Sequence, residues 1–419
     1  MKIGFYGATG SFDFGDYAMM IHNLQLISAK IADVQFDIYT PNKYITLKNL
    51  YENLLDKTLL KRINIIDGPS LLNDGKSRLK NLLALKLFKS DYVLSSKFHK
   101  LANGNIDVLN SEFVDSIKAV DLLLFNGGGF LQQSWGQKNI LFFSAIKAAK
   151  HFNKPIHFLG CSIGPMGRFE KYLAETIHDV TSILLRDGNN YSAKRIEKYR
   201  YGKYEIGPDD LLFVCDFYDQ IKPVVDNYIV IEIMSWIGKS KKGIQYVLTE
   251  LNKFVNYITE KENKNVILIS FDDTDSKGIE YINWIYNNAD SQDKILRYTK
   301  INNIYDVFSI YRYCCYSLSF KYHPIILALG CNKPCSAVIC DDDGYYEGKM
   351  FGAFDSCGIN GCNNIIHLNE LTSDILITLY HNNQELTINS MIKDQLLLCR
   401  DHFISKVLNL EWKNARGTN

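Results

Sequence analysis

The sequence predicts an α/β protein of two parallel-sheet domains that face each other across a cleft. Short apolar runs alternate with stretches of helical periodicity along the chain, which is the rhythm of βα units. At 419 residues the chain exceeds one ordinary core, so two domains of roughly 200 residues are expected. Four junctions at strand ends are rich in glycine or polar groups: Phe5–Asp16, Leu122–Gln133, Phe158–Gly167 and Ser317–His323. Parallel sheets bind ligands at their carboxyl ends, so these junctions are expected to line one cleft.

In chain order, Lys2–Tyr6 reads as a strand, Gly7–Gly15 as a glycine-rich turn and Tyr17–Lys30 as a helix. Val34–Tyr39 and Arg62–Ile66 are strands, and Tyr44–Leu59 and Lys76–Phe88 helices. Ser90–Ala119 has no dominant period. Ala119–Asn126 then resumes as a strand, apolar on both faces as a sheet covered by helices requires. Pro155–Leu159 and Ser182–Leu185 are strands among helices at Gln137–His151, Phe169–Ile177 and Asn190–Tyr199. The first Rossmann-like domain, 1–215, closes after Gly207-Pro208-Asp209-Asp210, near Cys215.

The second, 216–370, repeats the pattern, with strands at Asn227–Met234, Asn265–Ser270, Lys294–Tyr298, Tyr316–Phe320 and Cys335–Ile339. Its helices are Gly243–Thr259, Gly278–Asn288, Asn303–Tyr311 and Pro324–Leu329. Residues 371–419 read as two helices, Leu371–His381 and Leu386–Trp412, packing back on the domains.

Composition bounds the function. A hydrophobic fraction of 47% with 22% charged residues belongs to a folded soluble chain, and a formal charge of +1 offers nucleic acid no electrostatic footing. No apolar run reaches the length of a membrane span, and the N-terminal one is too short for a signal peptide. The ten cysteines lie mostly in apolar contexts and are read as reduced thiols, which points to the cytoplasm. The spacings of Cys331, Cys335, Cys357 and Cys362 do not suit zinc, and Asp341-Asp342-Asp343-Gly344 reads as a turn rather than a calcium loop. No metal is expected.

The candidate site residues sit at the strand ends. Gly15-Asp16 opens the first helix, where Asp16 either caps the helix or faces the cleft as a base or hydroxyl anchor. Gly127, Gly128 and Gly129 would let a substrate approach backbone N–H donors, with the Gln132 amide beside them. Ser162 is a candidate anion-binding hydroxyl, and Arg186, just past a buried strand, a candidate for phosphate or carboxylate. Lys321 and His323 alternate at a strand end, which would send a cation and a proton carrier off the same face. Lys349 follows the aspartate turn and can return to the cleft.

These marks, in this order, resemble the polysaccharide pyruvyl transferase family. The resemblance rests on Gly15-Asp16, Gly127-Gly128-Gly129, Gly160-Cys161-Ser162-Ile163-Gly164-Pro165, Arg186-Asp187, Ser319-Phe320-Lys321-Tyr322-His323 and Ala328–Pro334, and spans roughly residues 1 to 350. Lys321 stands where the family has arginine, and Gly188-Asn189-Asn190 displaces a serine for which Ser192 is the candidate substitute. The resemblance implies a glycosyltransferase-B-like fold and transfer of a pyruvyl group from phosphoenolpyruvate to two hydroxyls of a sugar, giving a ketal, in capsule, exopolysaccharide or cell-wall synthesis. Phosphoenolpyruvate is then a substrate and no cofactor is needed. A lipid-linked glycan acceptor would bring the protein to the inner face of the membrane.

Such a reaction needs an acid for the methylene carbon, a base for the hydroxyl and cations for the phosphate. His323 is the expected acid and Asp16 the expected base, with Lys321 and Arg186 on the anion. Two alternatives stand beside it: a glycosyltransferase using a nucleotide sugar, and a catalytically degenerate glycan-binding member. Oligomeric state has no signature in the sequence.

Overall fold

A computed structural model describes residues 1–71, 90–218, 225–340, 344–384 and 387–409. The first domain carries β1 (Lys2–Tyr6), β2 (Gln35–Thr40), β3 (Ile63–Asp67), β4 (Leu122–Phe125), β5 (Gly128–Leu131), β6 (Ile156–Ile163), β7 (Ser182–Leu185) and β8 (Tyr204–Ile206). They pair in parallel in the order β3-β2-β1-β4-β6-β7-β8, with β5 beside the end of β6. The second domain carries β9 (Tyr228–Glu232), β10 (Asn265–Ile269), β11 (Ile295–Tyr298), β12 (Tyr316–Ser319), β13 (Cys335–Ile339) and β14 (Ile365–His367), in the order β11-β10-β9-β12-β13-β14. Each sheet reverses its winding once, between β1 and β4 and between β9 and β12. Those two switch points are where a doubly wound sheet opens a crevice.

The two domains share a core. The Phe14 ring, at the start of the first helix, meets Phe271 edge-on at 4.7 Å, while its N–H donates to the Phe271 carbonyl at 2.8 Å. Ile304 N–H donates to Asn53 Oδ1 at 2.8 Å. On the other flank, the second-domain helix Tyr345–Ser356 packs against the loop after β7, where Gly188 N–H donates to Ser356 Oγ at 2.9 Å. The helix Ser373–Asn382 stays on the second domain, its Ser373 N–H held by Glu250 at 2.7 Å. The helix Ser390–Val407 crosses to the first, with Lys406 paired to Glu205 at 2.7 Å.

Several elements differ from the sequence expectation. The first helix begins at Phe14, because Asp13 caps it by accepting the Gly15 N–H; Asp16 is not the cap. The strand expected at Pro155–Leu159 continues to Ile163, since Cys161 is paired on both sides, to Gly128 and to Leu185. Tyr44–Leu59 splits into a helix Lys43–Asn53 and a 3-10 turn Lys57–Arg62. Ser90–Ala119 contains two helices, Ser90–Ala102 and Ser111–Ala119. Lys321 and His323 do not alternate on a strand: β12 stops at Ser319, Lys321 caps the helix Tyr322–Gly330, and His323 sits in its first turn. Glu232 causes this. Its Oε2 accepts the N–H groups of Phe320 and Lys321, both at 2.9 Å, and turns the chain out of the sheet. The expected helix Lys76–Phe88 and the turn Asp341–Asp343 lie outside the described residues.

The cysteine expectation also needs correction. Cys215 and Cys331 form a disulfide across 116 residues, with Cα atoms 5.7 Å apart, and eight cysteines are free. The short helix Val214–Phe217 docks on the end of Tyr322–Gly330, which brings together two positions that sequence spacing keeps apart. Titration of the unfolded, unreduced protein should therefore find eight thiols of ten, and Cys331→Ala should find nine. A cross-link closing so long a loop is worth ~2–4 kcal/mol, so reductant should lower the melting temperature of the wild type and leave Cys331→Ala unmoved.

Candidate active site

The site forms where the two switch points meet. Asp13, capping the first helix, reaches across to Lys321, which caps the helix Tyr322–Gly330, with Oδ2 2.6 Å from Nζ. Its other oxygen lies 4.0 Å from His323 Nδ1. Burial works against the Lys321 ammonium, but Asp13 and Glu232 outweigh it and hold its pKa above the ordinary lysine value. Burial pushes Glu232 up to about 7, against the pull of Lys321 and its two N–H donors.

Asp16 lies one turn further into the same helix and faces the cleft. Burial, then Asp13, raises its pKa to about 7, opposed by the Ser11 hydroxyl and the Lys321 and Arg186 charges. Gly15 contributes room rather than contact. A Cβ there would fall 1.6 Å from His323 Nδ1, so the imidazole occupies the space of the missing side chain. His323 is itself held well below its ordinary pKa, by burial and then by Arg186, Lys349 and Lys321. In the free protein this imidazole is neutral.

Arg186 is buried at the end of β7. Its Nη1 pairs with Asp209 at 2.5 Å and lies 3.5 Å from His323 Nε2, while Nε donates to Ser162 Oγ at 2.9 Å. The guanidinium lies over the Tyr322 ring at 4.3 Å. Nη2 has no hydrogen-bond partner among the described residues, and it sits beside Gly129 in the cleft wall. Ser162 is not an anion site. Its hydroxyl donates to Asp187 at 2.6 Å and accepts from Arg186, so it orients the arginine. Ser192 braces Asp187 from the other side, donating N–H at 3.2 Å and its hydroxyl as well.

The triple glycine also departs from expectation. A Cβ on Gly127 would meet Asp210 at 2.1 Å, and one on Gly129 would meet the Tyr345 hydroxyl at 2.0 Å. Gly128 has φ +141°, which side-chained residues rarely adopt. The run is thus fixed by packing and backbone conformation, and of the three it is Gly129 that lines the cleft. Tyr345 donates to the Gly129 carbonyl at 3.0 Å, across the domain boundary. Lys349 does return to the cleft, its ammonium near the rings of Tyr346, Tyr345 and Tyr322 at 3.9, 4.8 and 5.1 Å.

The cleft measures about 220 Å³ and is lined by the cations Arg186, Lys321 and Lys349 and by His323, together with Ser11, Asp13, Asp16 and Gln132. A roomier hollow of about 480 Å³ beside His157 and Lys406 opens at the amino ends of the first sheet and lacks this convergence of charge. Among the described residues no three metal-ligating groups converge. Sequence reasoning missed Asp13, Asp209, Tyr345 and Glu232. Of these, Glu232 left a signal, a charged residue closing the apolar strand YIVIE.

Two doubly wound domains with their switch points facing define a glycosyltransferase-B-like protein. The fold is similar to UDP-GlcNAc 2-epimerase from Neisseria meningitidis bound to UDP-GlcNAc, with TM-score 0.60 at 10% identity over 98% of this chain and 100% of that one. It is similar to the S. aureus MnaA–UDP complex, with TM-score 0.56 at 11% identity over 100% of each chain. A glycosyltransferase from Rickettsia africae gives TM-score 0.53 at 14% identity over 99% of each. No curated protein matches the sequence. The profile of the family described as polysaccharide pyruvyl transferase matches residues 13–342, and the chain belongs to that family of transferases.

Histidine NMR checks the electrostatics. The free protein should show no His323 protonation near the ordinary value of about 6.5, only at lower pH. Inorganic phosphate, by offsetting the neighbouring cations, should move that step upward. A step near 6.5 without phosphate would contradict the geometry.

Proposed function

We propose that the protein transfers a pyruvyl group from phosphoenolpyruvate to two hydroxyls of one sugar in a surface polysaccharide or its precursor. The observation that carries this is the unpartnered Arg186 Nη2 converging with Lys321 and Lys349 beside the carboxyls of Asp13 and Asp16 and the His323 imidazole. A small, highly charged anion suits three cations in so narrow a space. The acid and base roles expected from sequence are exchanged here. Asp16, raised to about 7, keeps a proton near neutrality, while His323 lacks one. A bound anion raises Asp16 further and makes His323 a stronger base by offsetting its cationic neighbours.

The steps balance on these two groups. Asp16 gives its proton to the methylene carbon, and the first sugar hydroxyl attacks the oxocarbenium carbon while His323 takes the hydroxyl proton. The imidazolium then protonates the departing phosphate, held by Arg186, Lys321 and Lys349. The second hydroxyl closes the ketal and returns a proton to Asp16. Both residues end as they began, with inorganic phosphate released and no cofactor consumed. An acceptor carried on a lipid would bring the enzyme to the membrane surface. No helix among the described residues is long and apolar enough to cross one.

Acceptor-dependent phosphate release from phosphoenolpyruvate tests the proposal. His323→Ala and Asp16→Asn should each lower turnover by about 10²- to 10⁴-fold without loss of folding. For the wild type, kcat/KM should fall as pH rises through about 7, where free Asp16 loses its proton. Turnover near wild type in either variant would remove that residue from the mechanism. Binding of a nucleotide sugar without binding of phosphoenolpyruvate would favour glycosyl transfer.

A further inference from the structure

The cleft of about 220 Å³ is smaller than the roughly 300–1,000 Å³ of pockets that enclose a whole ligand of drug size. A small donor would take up much of such a space, which leaves a sugar to seat against the rest of the lining. That lining includes an aromatic ring from each domain, Trp135 and Tyr346. Trp135 ends a short 3-10 turn, Gln133–Trp135, that follows the glycine strand. The turn is pinned by Gln133 N–H on the Pro165 carbonyl at 2.8 Å, and the indole is backed by Phe142 at 6.1 Å. Opposite, the Tyr346 ring meets Trp236 edge-on at 5.1 Å. All three rings are half-buried, and a lysine ammonium lies over each: Lys138 5.0 Å from the Trp135 ring, Lys349 3.9 Å from Tyr346 and Lys239 3.5 Å from Trp236, Lys138 and Lys239 being exposed. The Gln132 side chain lines the same cleft beside Trp135 and offers both a donor and an acceptor.

We infer that Trp135 and Tyr346, buttressed by Trp236, form the acceptor subsite and take one pyranose ring of the glycan. One face of a pyranose carries a patch of C–H bonds that matches an indole or phenol ring, and its edge carries hydroxyls for Gln132. Stacking on Trp135 would direct two hydroxyls of that ring inward, toward Asp16 and His323. Because the two aromatic walls belong to different domains, the acceptor is gripped by both. The inference rests on the pyruvyl-transfer reading for the sugar's fate, but not for its binding.

The test is therefore binding rather than turnover. Methyl β-pyranosides of glucose, galactose and N-acetylmannosamine are titrated by saturation-transfer NMR, with phosphoenolpyruvate binding followed separately by calorimetry. At least one pyranoside should bind the wild type through its C–H face. Trp135→Ala should weaken it at least tenfold, Trp135→Phe should largely restore it, and phosphoenolpyruvate affinity should change less than twofold. Undiminished sugar binding by Trp135→Ala, or no binding of any of the three by a wild type that binds phosphoenolpyruvate, would overturn the subsite. Sugar binding lost in Trp135→Ala by a protein that never bound phosphoenolpyruvate would uphold the subsite and remove the donor instead.

Discussion

The ion pair between Asp13 and Lys321 is the constraint on which the rest of the site depends. Each partner caps a helix, one in each domain, so a single contact fixes both entry angles and sets the two switch points face to face. The pair is partly buried, where desolvation consumes much of the Coulomb gain and removal of one partner strands the other. Glu232 shares in it, since the carboxylate that turns the chain after β12 also lies close enough to steady the Lys321 charge. Lysine in the place of the family arginine fits this arrangement. Its ammonium can answer two carboxylates as a point charge, whereas a guanidinium fork would favour one in-plane partner.

Around that pair the electrostatics are deliberately unbalanced. Arg186 is satisfied on two of its three nitrogens by Asp209 and Ser162, and the third is left bare toward the cleft. Burial, and then the neighbouring cations, keep the proton off His323, while burial keeps one on Asp16. An anion entering such a site raises both pKa values, holding the proton more firmly on Asp16 and making His323 a stronger base.

The two parallel sheets were legible in the sequence because apolar runs alternating with helical periods admit few other packings. The ends of elements were harder to read. Asp13 and Asp16 are three residues apart, both acidic, both near a helix start, and local propensity does not choose between them; the hydrogen bond to Gly15 does. Ser162 and Arg186 were recognised as polar residues at strand ends, yet only three-dimensional contact reveals that one serves the other. The aromatic rings lining the cleft could not be separated from core aromatics by spacing. The disulfide joins positions that become neighbours only through docking of the domains.

The glycines after β4 carry a further consequence. The place beside Gly129 is taken by the hydroxyl of Tyr345, which arrives from the other domain and bonds to the Gly129 carbonyl. That contact is a stop between two bodies: the walls can approach until oxygen meets bare backbone, and no farther. A single methyl group at this position would hold them apart. The gauge that sets the opening of the active site is thus a hydrogen atom where other residues have a carbon.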